Sequence, residues 1–253
     1  MMQKIIAVVN QKGGVGKTTS VINLATYIAS MGKRVLIIDL DPQGNATSGI
    51  GISKNDIKFS TYDLILGHKK INETLLKTRF KNLEILPSNS DLSGAEVEMV
   101  SQLNREYLLK NALADLSFDY AFIDCPPSLG LLTINALTAA SFVLIPVQTE
   151  YYALEGLSQL LATYQAIKQS TNPNLSILGV VLTMFDKRTT LSSQVKDEIT
   201  KYFKEFVFSV NVPRNIRLAE APSYGKAILE HDKWSKGAKA YKSLAKEVLS
   251  RLE

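Results

Sequence analysis

Short apolar runs rich in β-branched residues alternate with longer amphipathic stretches along the chain. Runs this apolar are typical of strands buried on both faces, as in a parallel sheet enclosed by helices. The predicted strands are residues 5–9, 35–38, 83–86, 120–123, 142–147, 177–183 and 206–209. The predicted helices include 18–30, 95–114, 133–140, 153–169 and 192–203. The alternation predicts an α/β fold with a doubly wound, mostly parallel sheet and helices on both faces, forming one domain over residues 1–253.

Polar residues follow several of the predicted strands at the point where each strand ends. A glycine-rich loop comes after Val9, the pair Asp39 and Asp41 follows the second strand, and Asp124 follows the fourth. Residues 184–188 follow the sixth strand in the same way. Ligands of doubly wound sheets bind outside the carboxyl ends of the strands. The sequence therefore predicts one ligand site at this edge of the sheet.

The glycine-rich loop has the pattern of a phosphate-binding loop. Residues 11–19 read Gln-Lys-Gly-Gly-Val-Gly-Lys-Thr-Thr, between a predicted strand and a predicted helix. Backbone N–H groups at a helix N-terminus bind polyphosphates, and glycines let the backbone approach closely. The lysine before the threonine then reaches the β- and γ-phosphates, and the threonine hydroxyl ligates Mg²⁺. We interpret the segment as the P-loop of an ATPase, with nucleotide contacts from Lys12, Gly13, Gly14, Val15, Gly16, Lys17, Thr18 and Thr19.

One position of this loop departs from the ordinary P-loop. Gln11 stands where the ordinary pattern has glycine, and Lys12 is an additional lysine. Lys12 lies too early in the loop to duplicate the role of Lys17. An additional cation beside a triphosphate could act in its own subunit or reach the nucleotide of a partner subunit.

Three aspartates are candidates for metal binding and catalysis. Asp39 and Asp41 are two residues apart in an extended segment, so their side chains point to the same side of the chain. One of these carboxylates can hold metal-bound water while the other positions the attacking water. Asp124 ends an apolar strand, as a Walker B aspartate does, and we expect it to reach Mg²⁺ through water. The predicted metal residues are Thr18, Asp39 and Asp124.

Composition limits the class of protein. Hydrophobic residues make up 45% of the chain and charged residues 21%, which is ordinary for a globular protein. Cys125 is the single cysteine, which excludes a disulfide framework and a cluster bound by several thiolates of one chain. We predict that Cys125 is a buried, small apolar residue. Neither a signal-peptide pattern nor an apolar stretch of membrane-crossing length is present, so we expect a cytoplasmic protein.

The net charge of +5 is concentrated in the last quarter of the chain. Residues 1–185 carry 15 basic and 15 acidic residues, whereas residues 186–253 carry 14 and 9. The lysines that share one face of the predicted terminal helix are Lys236, Lys239, Lys242 and Lys246, and apolar residues lie opposite them. These lysines are either simply solvated or part of a surface for DNA phosphates within residues 186–253. No motif for sequence-specific DNA recognition is present.

Four ordered segments resemble one known family. Residues 12–19, 39–47 (Asp-Leu-Asp-Pro-Gln-Gly-Asn-Ala-Thr), 124–128 (Asp-Cys-Pro-Pro-Ser) and 213–222 (Pro-Arg-Asn-Ile-Arg-Leu-Ala-Glu-Ala-Pro) closely resemble the ParA/Soj partition ATPases. The resemblance covers essentially the whole chain. It implies a homodimer that closes face to face on ATP, DNA binding without sequence preference, and hydrolysis stimulated by a ParB-type centromere-binding protein. It also implies association with the nucleoid and no binding to membranes.

The resemblance further assigns roles to individual residues. Lys12 would contact the nucleotide of the opposite subunit, Lys17 and Thr18 would bind phosphate and Mg²⁺, and Asp41 would position the hydrolytic water. Lys12, Lys17 and Asp41 are thus the expected catalytic residues. The other residues carried over are Met184 in the ATP site, Pro213 and Asn215 beside the adenine, and Arg188 and Arg217 for DNA. Because the first predicted strand starts so early, we expect the short chromosomal Soj type, without an N-terminal helix-turn-helix extension.

Three other classes use a similar loop. In a membrane-switching ATPase like MinD, the basic amphipathic segment 237–252 would bind lipid, although residues 213–222 argue against it. An electron-transfer ATPase like the nitrogenase iron protein needs cluster-ligating cysteines, which Cys125 alone does not supply. A metabolic P-loop synthetase needs a substrate pocket that the sequence does not locate.

Overall fold

Seven strands form one sheet in the computed structural model, which describes residues 4–150 and 153–253. The order across the sheet, with strands numbered along the chain, is β3-β4-β2-β5-β1-β6-β7. These strands are Lys4–Val8 (β1), Val35–Asp39 (β2), Leu76–Lys77 (β3), Leu83–Leu86 (β4), Tyr120–Asp124 (β5), Phe142–Gln148 (β6) and Ser176–Thr183 (β7). β3 pairs antiparallel with β4, and the other neighbouring strands are parallel, as predicted. The six parallel strands end at one edge of the sheet, which we call the carboxyl edge.

Helices connect the parallel strands and cover both faces of the sheet. The longer helices match the predicted segments to within a few residues at each end, with one exception described below. The α-helices of the described ranges are Lys17–Ser30 (α1), Asn45–Gly49 (α2), Thr61–Ile65 (α3), Ile71–Thr74 (α4), Leu92–Met99 (α5), Leu108–Ala112 (α6), Leu131–Ala139 (α7), Ala153–Gln169 (α8), Thr190–Phe203 (α9), Ile216–Glu220 (α10), Ile228–His231 (α11) and Lys236–Leu252 (α12).

The core consists of two apolar layers, one on each face of the sheet. Ile6 and Val8 of β1 pack in the layer that contains α1 and α12, whereas Ala7 packs in the layer that contains α5 to α9. Successive side chains of a strand point to opposite faces, so a strand covered on both faces must be apolar at every position. This requirement explains the continuous apolar runs of the sequence.

The terminal helix α12 is docked by its apolar face. The side chains of Tyr241, Leu244 and Val248 are buried in the layer shared with α1. The opposite face is exposed and carries Lys236, Lys239, Lys242 and Lys246, as predicted. Within the described residues, no helix combines the length and apolarity that a membrane crossing needs.

The predicted strand 206–209 is wrong. Residues Lys204–Phe206 form a 3₁₀ turn, and Val207 makes only an isolated bridge to Val180. Side chains of α12 satisfy the backbone here, because Arg251 donates to the carbonyls of residues 206 and 207 and Glu247 accepts from the N–H groups of residues 209 and 210. These backbone groups therefore have hydrogen-bond partners without pairing to a neighbouring strand. The two-residue β3, the outermost strand at the side of the sheet opposite β7, was not predicted because it is too short to give an apolar pattern.

The predicted helix 95–114 is also wrong, because it is divided into three pieces. Helix α5 ends at Met99, a 3₁₀ turn covers Arg105–Tyr107, and α6 follows. Asn104, at the start of the 3₁₀ turn, has φ of +54°, a left-handed conformation that asparagine tolerates better than most residues. A helix cannot continue through such a residue, so the chain turns there.

Candidate functional site

The glycine loop lies at the carboxyl edge between β1 and α1. Gly14 and Gly16 have φ of +75° and +90°, in the region that favours glycine, and they turn the chain into the helix. No side chain caps the start of α1 within the described residues. The first N–H groups of α1 therefore have no partner in the helix and are free to bind an anion.

Lys17 is the first residue of α1 and only 7% exposed. Its Nζ donates to the carbonyl oxygen of Lys12 at 3.2 Å. Burial lowers the pKa of Lys17, whereas the nearby Asp124, Cys125 and Asp41 raise it. An ammonium group has three donors, so a buried lysine with this one carbonyl partner has capacity for further oxygen acceptors. A phosphate group in the loop would supply them and would favour the charged form.

Asp124 ends β5 in the middle of the sheet and is fully buried. Both of its carboxylate oxygens lack a hydrogen-bond partner among the described residues. Burial raises the pKa of Asp124 well above its usual value, and the carboxylate of Asp39, which is paired with it in register on β2, raises it further. The Thr18 hydroxyl and the Lys17 ammonium have the opposite effect on this pKa.

These residues fit a divalent cation. Buried polar groups normally have partners, so two orphaned carboxylate oxygens at the carboxyl edge indicate a missing ligand of positive charge. No group of three or more acidic, histidine or cysteine side chains in the described ranges could form a metal cage. Mg²⁺ fits that arrangement, because it typically uses one or two protein carboxylates together with water and substrate phosphates. Thr18 and Asp124 are the residues best placed to hold it.

Asp39 is held by hydrogen bonds within the protein. Its Oδ2 accepts from the backbone N–H and the hydroxyl of Thr47, at 2.8 and 2.7 Å. Its Oδ1 accepts from the backbone N–H of Asp41 at 3.2 Å. Burial is the main cause that raises the pKa of Asp39, and the Thr47 contacts lower it. Asp39 thus adds negative charge beside Asp124, with its orientation fixed by Thr47.

Asp41 lies two residues beyond β2, beside the glycine loop, and is 8% exposed. Its Oδ1 accepts from the backbone N–H of Gln43 at 2.9 Å. The hydroxyl of Ser88, at the end of β4, donates to the backbone carbonyl of Asp41 at 2.8 Å, and the Ser88 N–H donates to Thr47. Sequence reasoning gave no separate role to Thr47, although it ends the segment 39–47, and it missed Ser88 because the contacts of Ser88 with Asp41 and Thr47 join distant parts of the chain.

Lys12 forms an ion pair with Glu150, just beyond the end of β6. Both side chains are about 40% exposed, so the pair is open to water and contributes little stability. The backbone N–H of Lys12 donates to Asn10, whose side-chain amide donates to the carbonyl of Pro146 at 2.7 Å. In one subunit Lys12 is therefore directed towards its own β6 end, and Glu150 is a contact that the sequence did not reveal.

A largely apolar cavity of ≈ 230 Å³ adjoins the glycine loop. It is lined by Met184, Pro213 and Asn215, which were predicted to contact the nucleotide, together with Gly16 and Thr19 of the loop region. Met184 has φ of +50° directly after β7. The cavity is of a size that can hold a planar base. Lining residues missed by sequence reasoning are Thr183, Val212, Arg214, Leu218, Ala219 and Tyr241.

The predicted DNA residues occupy two places. Arg188 and Lys236 line a groove of ≈ 720 Å³ beyond the end of β7, with Lys187 and Arg214, which the sequence did not single out. Arg188 is 85% exposed and binds Asp186 at 2.7 Å, which lowers the pKa of Asp186 to about 2. Arg217 lies on α10 and pairs with Glu220 at 3.0 Å and Asp232 at 3.7 Å. Lys239, Lys242 and Lys246 continue the basic surface along α12.

Comparisons with known proteins agree with this geometry. The profile of a family described as an AAA domain matches residues 3–177. The sporulation initiation inhibitor protein Soj of Bacillus subtilis (strain 168) is 53% identical over 249 residues, which are 98% of each chain. The chromosome partitioning protein ParA of Myxococcus xanthus (strain DK1622) is also 53% identical, over 98% of this chain and 88% of that protein.

One solved structure shares both fold and sequence. Cobyrinic acid a,c-diamide synthase from Mycobacterium smegmatis, with bound ADP and magnesium, superposes with a TM-score of 0.87 at 39% identity. The match covers 99% of this chain and 96% of that one. The overall fold is therefore shared with a protein whose structure was solved with bound ADP and magnesium.

Proposed function

The chain belongs to the ParA/Soj family of chromosome-partitioning ATPases, and from this premise we propose that it binds Mg²⁺ and ATP at the carboxyl edge and couples hydrolysis to DNA partition. The observation that carries the proposal is the orphaned, buried carboxylate of Asp124 beside Thr18 and the buried Lys17. Burying any of these groups without a partner of opposite charge raises the free energy of the folded protein. Mg²⁺ with a triphosphate supplies such partners to all of them together.

In this proposal the loop binds the β- and γ-phosphates. The free N–H groups at the start of α1 and the Nζ of Lys17 donate to phosphate oxygens. Thr18 and Asp124 hold Mg²⁺, with Asp39 adding charge nearby. When bound, Mg²⁺ neutralises charge on the transferring phosphoryl group. Met184, Pro213 and Asn215 border the base in the adjoining cavity.

Asp41 orients the water that attacks the γ-phosphate. Its backbone is fixed by the hydroxyl of Ser88, and its Oδ1 accepts from Gln43, which leaves acceptor capacity for a water molecule. Positioning of this kind accounts for most of the catalysis in phosphoryl transfer, where the protein does little covalent chemistry.

The second subunit is proposed to close on the nucleotide face. Gly13 and Gly14 are exposed, and a Cβ placed at either would meet nothing within 4 Å in its own subunit. A flat backbone of this kind allows close approach of a partner chain. Lys12 would then leave Glu150 and contact the partner's nucleotide, which the half-exposed ion pair permits at small cost.

DNA is proposed to bind along the basic surface within residues 186–253. Arg188, Arg217 and the α12 lysines suit contacts to phosphates rather than bases, so sequence preference is absent and the protein associates with the nucleoid. A closed dimer presents two such surfaces and binds DNA far more tightly than one subunit. A ParB-type partner then stimulates hydrolysis and opens the dimer. Residues 1–253 act as one domain in this scheme.

The membrane-switching alternative is less favourable because the apolar face of α12 is already buried against the core. Lipid could reach that face only if the helix left its place. A metabolic P-loop synthetase is also a less favourable alternative. The chain is 39% identical to the cobyrinic acid a,c-diamide synthase but 53% identical to Soj and ParA.

The test is DNA binding by the purified protein without nucleotide, with ADP and with ATP. Gel shifts on two unrelated duplexes over a salt series should show strong binding only with ATP, near-equal affinity for both duplexes and a steep loss with salt. Equal binding in all three nucleotide states would contradict ATP control, and a strong preference for one duplex would contradict non-specific binding. Liposome sedimentation with ATP should show no binding.

A further inference from the structure

Trp234 is the single tryptophan of the chain, and it is 74% exposed. Tryptophan is buried over most of its surface in the average protein, because its ring is large and mainly apolar. The backbone N–H of Trp234 donates to the carboxylate of Asp232 at 3.1 Å, and the Nζ of Lys233 lies 5.2 Å from the centre of the ring. Within the described residues, the indole N–H has no acceptor. The ring is therefore open to a ligand from outside the chain.

Trp234 lies between the two places that hold the predicted DNA residues. The carboxylate of Asp232, which accepts from its N–H, is also 3.7 Å from the Nε of Arg217. Two residues further along the chain, Lys236 lines the groove that contains Arg188. The exposed ring therefore belongs to the same surface as both groups of cations.

Cations predominate around this ring in space. Among the described residues, the groove that Lys236 lines includes a single carboxylate, that of Asp186, which is paired with Arg188 at 2.7 Å. The cationic side chains of the same lining are Lys187, Arg188, Arg214 and Lys236. The acidic residues between positions 216 and 236 are each paired with an arginine: Glu220 and Asp232 with Arg217, at 3.0 and 3.7 Å, and Glu230 with Arg79, at 2.8 Å. An anionic ligand is therefore favoured here over a cationic one.

DNA fits this surface better than an anionic membrane does. Tryptophan beside lysine also suits the surface of a membrane, but a helix that binds there needs an apolar face that can enter the lipid. The apolar face of α12 is buried against the core. The exposed large apolar side chains between positions 213 and 253, among the described residues, are Ile216, Tyr224 and Trp234. These few side chains do not form such a face.

We propose that Trp234 contacts the bases or deoxyribose of bound DNA, and that it supplies a part of the affinity that salt does not weaken. The inference rests on the proposed function, which supplies the DNA. Cations bound to phosphates release counterions, so their contribution falls as salt rises. An apolar ring releases none, because it stacks on a base or enters the minor groove. Stacking requires no particular sequence, since every base has a π-face.

The test compares Trp234→Ala with wild type in DNA binding with ATP over a salt series. We expect the variant to bind about fivefold or more weakly, by the same factor at every salt concentration, so that the slope of log affinity against log salt is unchanged. Arg217→Ala should instead reduce that slope by about one. Trp234→Phe keeps an aromatic ring and should recover most of the affinity. The matched control is Tyr202→Ala on α9, which removes an aromatic residue that is 76% exposed and should bind as wild type does.

Fluorescence gives a direct measurement, because the emission of the single tryptophan reports on this ring alone. A duplex added with ATP should quench the emission of wild type and of the Tyr202→Ala control to the same extent. Vesicles of anionic phospholipid should leave the emission maximum of both proteins where it is.

The outcomes separate this inference from the function on which it rests. If wild type does not bind DNA with ATP, the proposed function is wrong and the inference falls with it. If wild type binds DNA without quenching and Trp234→Ala binds equally well, the inference alone is overturned. A loss of affinity that disappears at high salt would show that the residue acts only through its cationic neighbours, and would overturn the inference too. A blue shift on the vesicles would assign the ring to lipid, and a loss of ATP-dependent dimerisation in Trp234→Ala would assign it to a second copy of the chain; either result rejects the DNA contact.

Discussion

Replacement of Asp124 by asparagine is expected to stabilise the nucleotide-free protein. The carboxylate is fully buried, has no hydrogen-bond partner among the described residues, and is aligned with the charge of Asp39 on the next strand. A buried charged group left unsatisfied costs at least about 1–3 kcal/mol, and asparagine removes the charge with almost no change of shape. We therefore expect Asp124→Asn to gain ~1–3 kcal/mol in unfolding free energy at pH 8, or ~2–10 °C in the thermal midpoint.

The pH dependence of this gain has a definite sign. The pKa of Asp124 is raised in the folded chain, by burial first and by Asp39 second. The folded state therefore binds more protons than the unfolded state between the unfolded and folded pKa values, and wild type loses stability as pH rises through that interval. The substituted asparagine does not titrate, so the advantage of Asp124→Asn is smallest at acidic pH and grows towards pH 8.

Urea denaturation of both proteins between pH 4.5 and 8, without nucleotide or Mg²⁺, measures this difference. The control is Asp119→Asn, because hydrogen bonds from Arg34 lower the pKa of Asp119. That change should destabilise the protein by about the same amount throughout this pH range, because the lowered pKa of Asp119 lies below it and the carboxylate stays ionised. Adding ATP and Mg²⁺ should stabilise wild type more than Asp124→Asn. A variant less stable than wild type at pH 8 without ligand, or a pH-independent difference, would refute the reasoning.

Four further predictions concern the nucleotide and DNA surfaces. Lys17→Ala should lose ATP binding by calorimetry while its circular dichroism is unchanged, since the loop loses its buried cation; normal affinity would exclude the phosphate role. Asp41→Ala should bind ATP but hydrolyse it about 100-fold more slowly, because the water loses its orientation; size exclusion with ATP should show a trapped dimer, and a strict monomer would count against the scheme. Gly13→Val should bind ATP yet remain monomeric in the same column, because the added side chain has space only in the separate subunit; normal dimerisation would move the interface elsewhere. Arg188→Ala and Arg217→Ala should each weaken gel shifts of unrelated duplexes uniformly, and wild-type affinity in both would relocate the DNA surface.

The strands were predictable where both faces of the sheet are covered. β2 and β5 are buried at every position and β1 at its last three, so these strands are apolar up to the aspartates that end β2 and β5, and their pattern is unambiguous. Residues 206–209 look similar in sequence, but their backbone groups are bound by Arg251 and Glu247. Contacts with side chains about 40 residues away cannot be read from a local apolar run.

The functional site likewise contains residues that a local sequence pattern reveals and residues that only the fold brings there. The glycine loop, Thr18 and the aspartates follow a fixed spacing after strands, so the sequence located the residues that the structure brings together at the carboxyl edge. Tyr241 lines the apolar cavity beside the glycine loop from the last helix, and Glu150 meets Lys12 across 138 positions. Such residues carry no motif of their own, and only the fold places them at the site.

The apolar cavity beside the glycine loop combines Gly16 and Thr19, near the start of the chain, with Tyr241, near its end. The hydroxyl of Tyr241 also forms a hydrogen bond with Ser20 of α1, at 3.0 Å. During synthesis on the ribosome, the loop emerges first but the wall of its pocket emerges last. A growing chain should therefore bind nucleotide only after release of nearly the whole protein, and C-terminally truncated products should lose ATP binding before they lose the sheet.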